Sequence, residues 1–178
     1  MTKIPHNPDE IIANVDESDN VLGETSRKEA HEKGLLHREV YIYLINSKKQ
    51  VLLHKRLDNH LWDHSNSGHF PKNQNYEEAA LREFEEELGI KLDLNELKEI
   101  GFEKLRTEKP QKINYRFAKI FLIRKDIPIN EFNIDKDEIE EIKYFDNEEI
   151  NKLLNSSEKI MTGSSKKIIQ KYILPEML

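Results

Sequence analysis

Three glutamates, Glu83, Glu86 and Glu87, fall three and four residues apart in the run LREFEEELGI. On a helix that spacing gathers their carboxylates on one face. Brought together, the carboxylates repel one another unless a cation neutralises them. A hard divalent cation answers that need: Mg²⁺ typically takes a few carboxylates together with water and substrate phosphates. Arg82, four residues before Glu86, offers a different answer, an ion pair that braces part of the cluster. Charge alone also allows a plain solvated acidic face.

A helix must hold these side chains, and the sequence marks both of its ends. Asn75 can cap the start, and Glu78 three residues on completes a capping-box-like arrangement with Asn in place of Ser or Thr. Gly89 fits the left-handed stop that ends many helices. Most residues between them are strong helix formers. Leu81, Phe84 and Leu88 recur at spacings of three and four, an apolar stripe for the core beside the acidic face. The residues from Gly68 to the cap are read as a loop leading into this helix.

Taken whole, Gly68 to Ile90 (GHFPKNQNYEEAALREFEEELGI) resembles the Nudix box. That pattern is a Gly, five residues, a Glu, seven residues, then Arg-Glu-apolar-any-Glu-Glu-any-Gly-apolar. Gly68, Arg82, Glu83, Phe84, Glu86, Glu87, Gly89 and Ile90 stand in register, while Gln74 replaces the first Glu and Asn73 stands where many members have Gly. The resemblance implies an α/β fold, a Nudix-type α/β/α sandwich with a mixed β-sheet and here an N-terminal β-hairpin extension. It implies one Nudix domain over residues 1–178, with 1–35 as the extension and 68–90 as the box. It also implies Mg²⁺ or Mn²⁺ held by Glu83, Glu86, Glu87 and a backbone carbonyl near Gly68, with Arg82 orienting a carboxylate. The general base would be Glu86 or Glu87, or Glu138 from outside the box, in DKDEIEE. Glu138 also reads, and more simply, as an exposed acid in an acidic run. A glutamine at 74 keeps a hydrogen bond but not a charge.

The likeness extends over roughly residues 10–150, through the N-terminal hairpin, EAH…LLHR, LLHKR and LWDHSNSGH. These stretches are similar to the isopentenyl-diphosphate isomerase type of Nudix protein and to bacterial Nudix hydrolases with the same extended N-terminus. The isomerases carry a Cys where this chain has Ser67, and two acids on the strand that here reads Asn114-Tyr115-Arg116. Their histidine ligands correspond to His31, His37 and His69. As isolated residues, such histidines are more often surface or hydrogen-bonded core groups. A hydroxyl does not readily replace a thiol in moving protons at an allylic carbon. The expected activity is therefore metal-dependent hydrolysis of a diphosphate linkage in a nucleoside diphosphate derivative or similar small pyrophosphate. The alternative is a non-catalytic Nudix domain that binds a nucleotide or a protein partner, suggested by Gln74 and Asn73.

Composition narrows the field further. With 178 residues the chain is long enough for one domain with a real core. Lys plus Arg is 28 against 34 Asp plus Glu, a net charge of −6, which argues against bulk nucleic-acid binding. There is no Cys, so thiolate chemistry and disulfides are excluded. No run has the length of a membrane span or the core of a signal peptide, so a cytoplasmic protein with no membrane partner is expected. A homodimer is left open.

The remaining chain supplies the frame. Residues 1–8 are polar with two prolines and read as loose. A hairpin is expected from Glu10–Val15 and Val21–Thr25, then a short helix from Ser26 to Lys33 stopped by Gly34. Val40–Ile45 and Val51–His54 read as strands joined by Asn46-Ser47-Lys48-Lys49. Lys55 and Arg56 are open to two readings, surface charge or phosphate contact. His60, Trp62 and His64 lie in a loop, with Trp62 expected to pack. Strands follow at Leu97–Glu103, Ile113–Arg124 and Ile139–Phe145, with Leu105–Lys112 as a polar loop around Pro110. Helices are expected at Asn147–Leu154 and Ser165–Ile173.

Overall fold

The computed structural model describes residues 7–178. The loose start expected at 1–8 lies almost wholly outside the described residues. In chain order the elements are β1 (Ile11–Val15), β2 (Val21–Ser26), α1 (Arg27–Lys33), β3 (Leu36–Ile45), β4 (Val51–Arg56) and β5 (Asn66–His69). Then come α2 (Tyr76–Leu88), β6 (Lys98–Lys109), β7 (Lys112–Arg124), β8 (Ile139–Phe145), α3 (Asn147–Asn155), α4 (Gly163–Ile168) and α5 (Leu174–Met177).

β3 is the axis of a mixed sheet. It runs parallel to β7 and antiparallel to β4 and β5, with β1 and β2 beyond it on one side and β8 beyond β4. Its sequence, LHREVYIYLI, is buried at nearly every position, as a strand covered on both faces must be. Val40, Ile42 and Leu44 pack on one face with Ala79, Ala80, Phe84 and Leu88 of α2. Tyr41, Tyr43 and Ile45 pack on the other with Ile150 and Leu154 of α3 and Ile168 of α4. Helices thus cover both faces, giving the expected α/β/α sandwich. Truncating the fully buried Phe84 to Ala would cost about 3–5 kcal/mol.

Several boundaries differ from the sequence expectation. The segment at Gly68 is a strand, β5, rather than a loop. It has no apolar alternation because its backbone is fixed by pairing with residues 39–42 of β3. The polar stretch Leu105–Lys112 is the far end of a long β6–β7 hairpin. Pro110 sits in the turn, followed by Gln111 at φ 62°, where proline interrupts no ladder. The C-terminal helix does not stop at Ile173. α4 is capped by Thr162, and the chain widens into π-type turns over Ile169–Ile173 before α5. Pro175 stands in the first turn of α5, where its missing N–H is tolerated. The N-terminal hairpin and α1, with Ser26 as cap and Gly34 as stop, form as expected.

Candidate active site

α2 carries the box acids and is fixed at both ends. Asn75 Oδ1 accepts from the Glu78 N–H at 2.8 Å, and Glu78 Oε2 accepts from the Asn75 N–H at 3.0 Å. Gly89 closes the helix at φ 70°. A Cβ at that position would also lie 2.9 Å from the Asn133 carbonyl oxygen, so a larger residue is excluded on two grounds. The next layer docks on this end: the Asn133 N–H donates to the Leu88 carbonyl (3.0 Å) and the Asp135 N–H to the Glu87 carbonyl (2.8 Å).

Arg82 ties the helix to the strand before it. Its Nη2 lies 2.7 Å from Glu83 Oε1 and 3.2 Å from the His69 carbonyl oxygen. Its Nη1 donates to Glu86 Oε2 at 2.9 Å and its Nε to Gln74 Oε1 at 3.2 Å. The amide at 74 therefore keeps the hydrogen bond to Arg82. Burial works against the Arg82 charge, but Glu83 and then Glu86 outweigh it and raise its pKa. Glu83 is only 1% exposed and lies so close to Gly68 that a Cβ there would fall 2.2 Å from its carboxyl carbon. Glu87 is also buried and accepts from Asn66 Nδ2 at 2.7 Å, whereas Glu86 is exposed. The chemistry of the three acids is that of an all-oxygen donor set, which fits Mg²⁺ or Mn²⁺.

The other expected residues lie outside α2 and β5. Glu138 is half-buried just ahead of β8, in the turn whose Asp135 bonds to the end of α2, and its carbonyl accepts from the Leu57 N–H at 3.0 Å. Lys55 pairs with Glu140 at 2.8 Å and Arg56 with Asp58 at 2.9 Å, so both are engaged with acids of the chain. Trp62 packs edge-on against Phe145 at 4.7 Å, as expected.

On the opposite face of the same strands the chain assembles a second cluster. His31 of α1, His37 of β3 and His69 of β5 have ring centroids 5.1–5.5 Å apart. Among the described residues they are the trio of His, Asp or Glu whose ligand atoms lie within 4.8 Å of one another; the three box acids, drawn toward Arg82 and Asn66, do not close to that distance. All three rings are buried and the Nε2 of each lacks a hydrogen bond. An unsatisfied buried polar atom costs about 1–3 kcal/mol. Burial, with the other two histidines, pushes the His31 pKa down to about 2; burial pushes His69 down to about 3 and lowers His37. Each of these shifts favours the neutral imidazole.

Glu39 completes this cluster, and sequence reasoning missed it. Its Oε1 lies 2.9 Å from His69 Nε2, within ion-pair range though not aligned as a hydrogen bond. Oε2 is held by Arg116 Nε at 2.7 Å and the Tyr41 hydroxyl at 2.8 Å. Burial opposes the Glu39 charge, yet Arg116 and then His69 hold its carboxyl well below the usual range. The available signal was period two: His37, Glu39 and Tyr41 alternate along β3 and share one face. Asn66, the partner of Glu87, was missed as well because β5 was read as loop. Ser67 pairs with Tyr41 in the β3–β5 ladder.

The NUDIX domain pattern matches residues 35–168. The chain is 30% identical over 166 residues to isopentenyl-diphosphate Delta-isomerase 2 of Photorhabdus laumondii, covering 90% of this chain and 91% of that protein. It is 30% identical over 139 residues to an uncharacterized Nudix hydrolase of Clostridium acetobutylicum, covering 74% and 67% respectively. Among solved structures, DR0079 from Deinococcus radiodurans superposes with a TM-score of 0.68 at 20% identity, over 92% of this chain and 99% of that one.

Proposed function

The chain belongs to the NUDIX family, and we propose that it is a pyrophosphohydrolase that cleaves a diphosphate linkage in a nucleoside diphosphate derivative or similar small pyrophosphate, with Mg²⁺ or Mn²⁺. The observation that carries the reading is the Arg82 brace, which holds Glu83 and Glu86 on the helix while gripping the His69 carbonyl and Gln74 on the approach. Glu83, Glu86, Glu87 and the Gly68 carbonyl are the groups assigned to the metal. When bound, the ion supplies Lewis-acid neutralisation of the diphosphate and acidifies water. Arg82 fixes the carboxylates in advance, so that little reorganisation remains for the reaction. Glu86 or Glu87 takes the proton from the attacking water, with Glu138 as the candidate from outside the box. The protein is assigned to the cytosol with small molecules as its substrates, and no helix is long and apolar enough to cross a membrane among the described residues.

Two alternatives lose ground on specific residues. The departure at Gln74, which suggested an inactive binding domain, leaves the bond to Arg82 standing. Isomerase chemistry, the activity in the name of the Photorhabdus relative, lacks its thiol and acids here, since the positions are Ser67, Asn114 and Arg116.

The test is phosphate release with Mg²⁺ or Mn²⁺ across nucleoside di- and triphosphates, nucleotide sugars, dinucleoside polyphosphates and prenyl diphosphates, with Glu87→Gln alongside. Turnover that falls at least about a hundredfold in the variant is expected. Equal turnover in both proteins would refute the metal assignment. Silence across the panel with retained ligand binding would favour the binding domain.

A further inference from the structure

Asn66 is fully buried at the start of β5, where strand packing would favour an apolar or β-branched side chain. Its amide has one workable orientation. Nδ2 donates to Glu87 Oε2 at 2.7 Å, and the flipped amide would set two oxygens against each other. That leaves Oδ1 buried with no hydrogen-bond partner among the described residues, a penalty that an apolar residue here would avoid.

The register of strand and helix explains why this residue meets that acid. Asn66 and Gly68 lie two apart on one face of β5, about 6.6 Å along the strand. Glu83 and Glu87 lie four apart on α2, about 6 Å along the helix. The spacings match, so Glu83 stands over Gly68 and Glu87 over Asn66. Glycine leaves room for the first acid, and asparagine grips the second. Both backbones are fixed. Ser65 Oγ accepts from the Leu44 N–H at 2.9 Å and donates to the Leu52 carbonyl, which ties the entry of β5 to β3 and β4. Asn66 pairs with Ile42, and the Glu87 carbonyl accepts from the Asp135 N–H at 2.8 Å.

We propose that Asn66 is a positioning residue of the hydrolytic centre, one that aims the Glu87 carboxylate; the inference rests on the assignment of Glu87 to the metal. Arg82 braces Glu83 and Glu86 with a guanidinium. Asn66 holds Glu87 by different means. A neutral amide fixes the direction of a carboxylate while adding no positive charge of its own, so its grip does not compete with a cation. Such outer contacts set the orientation of a ligand before the ion arrives. The orphaned oxygen then has an explanation: the side chain is kept for Nδ2, and Oδ1 comes with it.

The experiment is Mn²⁺ titration of the full chain, read by the electron paramagnetic resonance signal of the free ion, with thermal melts to confirm folding. Asn66→Leu, Glu87→Gln and the double variant run beside the natural protein. Leucine fills nearly the same space as asparagine but carries neither amide atom, and Asn66→Ala serves as a second variant should it not fold. Asn66→Leu should weaken Mn²⁺ binding by about ten- to a hundredfold. Glu87→Gln should weaken it too, and the double variant should bind no worse than Glu87→Gln, because a residue that acts through Glu87 has nothing left to act on. A further loss in the double variant equal to that of Asn66→Leu alone would mean that Asn66 supports the fold at large, and would overturn the proposal. Loss in Glu87→Gln beside natural affinity in Asn66→Leu would overturn the role of Asn66 and leave the metal assignment standing. Natural affinity in Glu87→Gln would overturn that assignment, and the role of Asn66 with it.

Discussion

Gly68→Ala is the sharpest probe of how β5 and α2 are fitted together. The added methyl would stand 2.2 Å from Cδ, 2.5 Å from Cγ and 2.5 Å from Oε1 of Glu83. A flexible acid at the surface would swing aside at little cost, but Glu83 is 1% exposed and its Oε1 is held 2.7 Å from Arg82. Either the helix backs away from the strand or Glu83 leaves its partner. Overpacking of this kind costs about 1–3 kcal/mol. For a chain of this size that corresponds to a fall in melting temperature of roughly 4–8 °C at the middle of the range. Activity should fall further than stability, because the moved carboxylate is one assigned to the metal and Arg82 would lose a partner. A drop of about a hundredfold in kcat is expected, the scale of losing a metal site's supporting contacts. Thermal melts and hydrolysis assays on the same preparation separate the two effects. Natural melting temperature together with natural kcat would refute the reasoning, because it would mean that Glu83 is not wedged against the strand.

Two further substitutions test the electrostatics. Gln74→Glu adds a charge to a hydrogen bond that Arg82 already makes, a gain of roughly 1 kcal/mol at a half-exposed site, so kcat should change by less than about tenfold. A rise of several orders of magnitude in hydrolysis would identify the natural glutamine as crippling. Glu103 is held down to about 2: burial opposes its charge, but hydrogen bonds from Lys171, Tyr172 and Lys167 prevail. Because its folded pKa is depressed, its stabilisation is present above the unfolded value of 4.5 and is lost as pH falls toward 2. With both lysines mostly exposed, Glu103→Gln should cost about 1–2 kcal/mol at neutral pH and progressively less below pH 4.5, as measured by urea unfolding at both ends of that window. A pH-independent difference would point to packing rather than charge.

α2 was legible almost residue by residue, because its cap, stop, apolar stripe and acids are all local signals within one element. The strand at Asn66–His69 was not. Asparagine, serine, glycine and histidine carry no strand signature, and what makes them a strand is the partner across from them. The end of the β6–β7 hairpin was hidden for a related reason. It projects past the sheet, both faces meet water, and no hydrophobic alternation survives to mark it. The histidine trio draws on three elements, so its assembly depends on sheet register, which no local pattern states. Glu39 was concealed by the habit of treating an acid in a buried strand as an exception. The structure supplies the reason for the exception in Arg116, 77 residues further along.

Gly68 and His69 are chain neighbours, yet their faces of β5 look to different sides of the sheet. Gly68 lies opposite Val40 and abuts the box helix, whereas His69 lies opposite Glu39 and joins the imidazoles. The two centres are therefore coupled in register although they share no ligand. Inserting or deleting a single residue within Asn66–His69 would turn both residues to the wrong faces at once. Loops on either side can lengthen or shrink among descendants of this chain, but those four positions can change only by substitution.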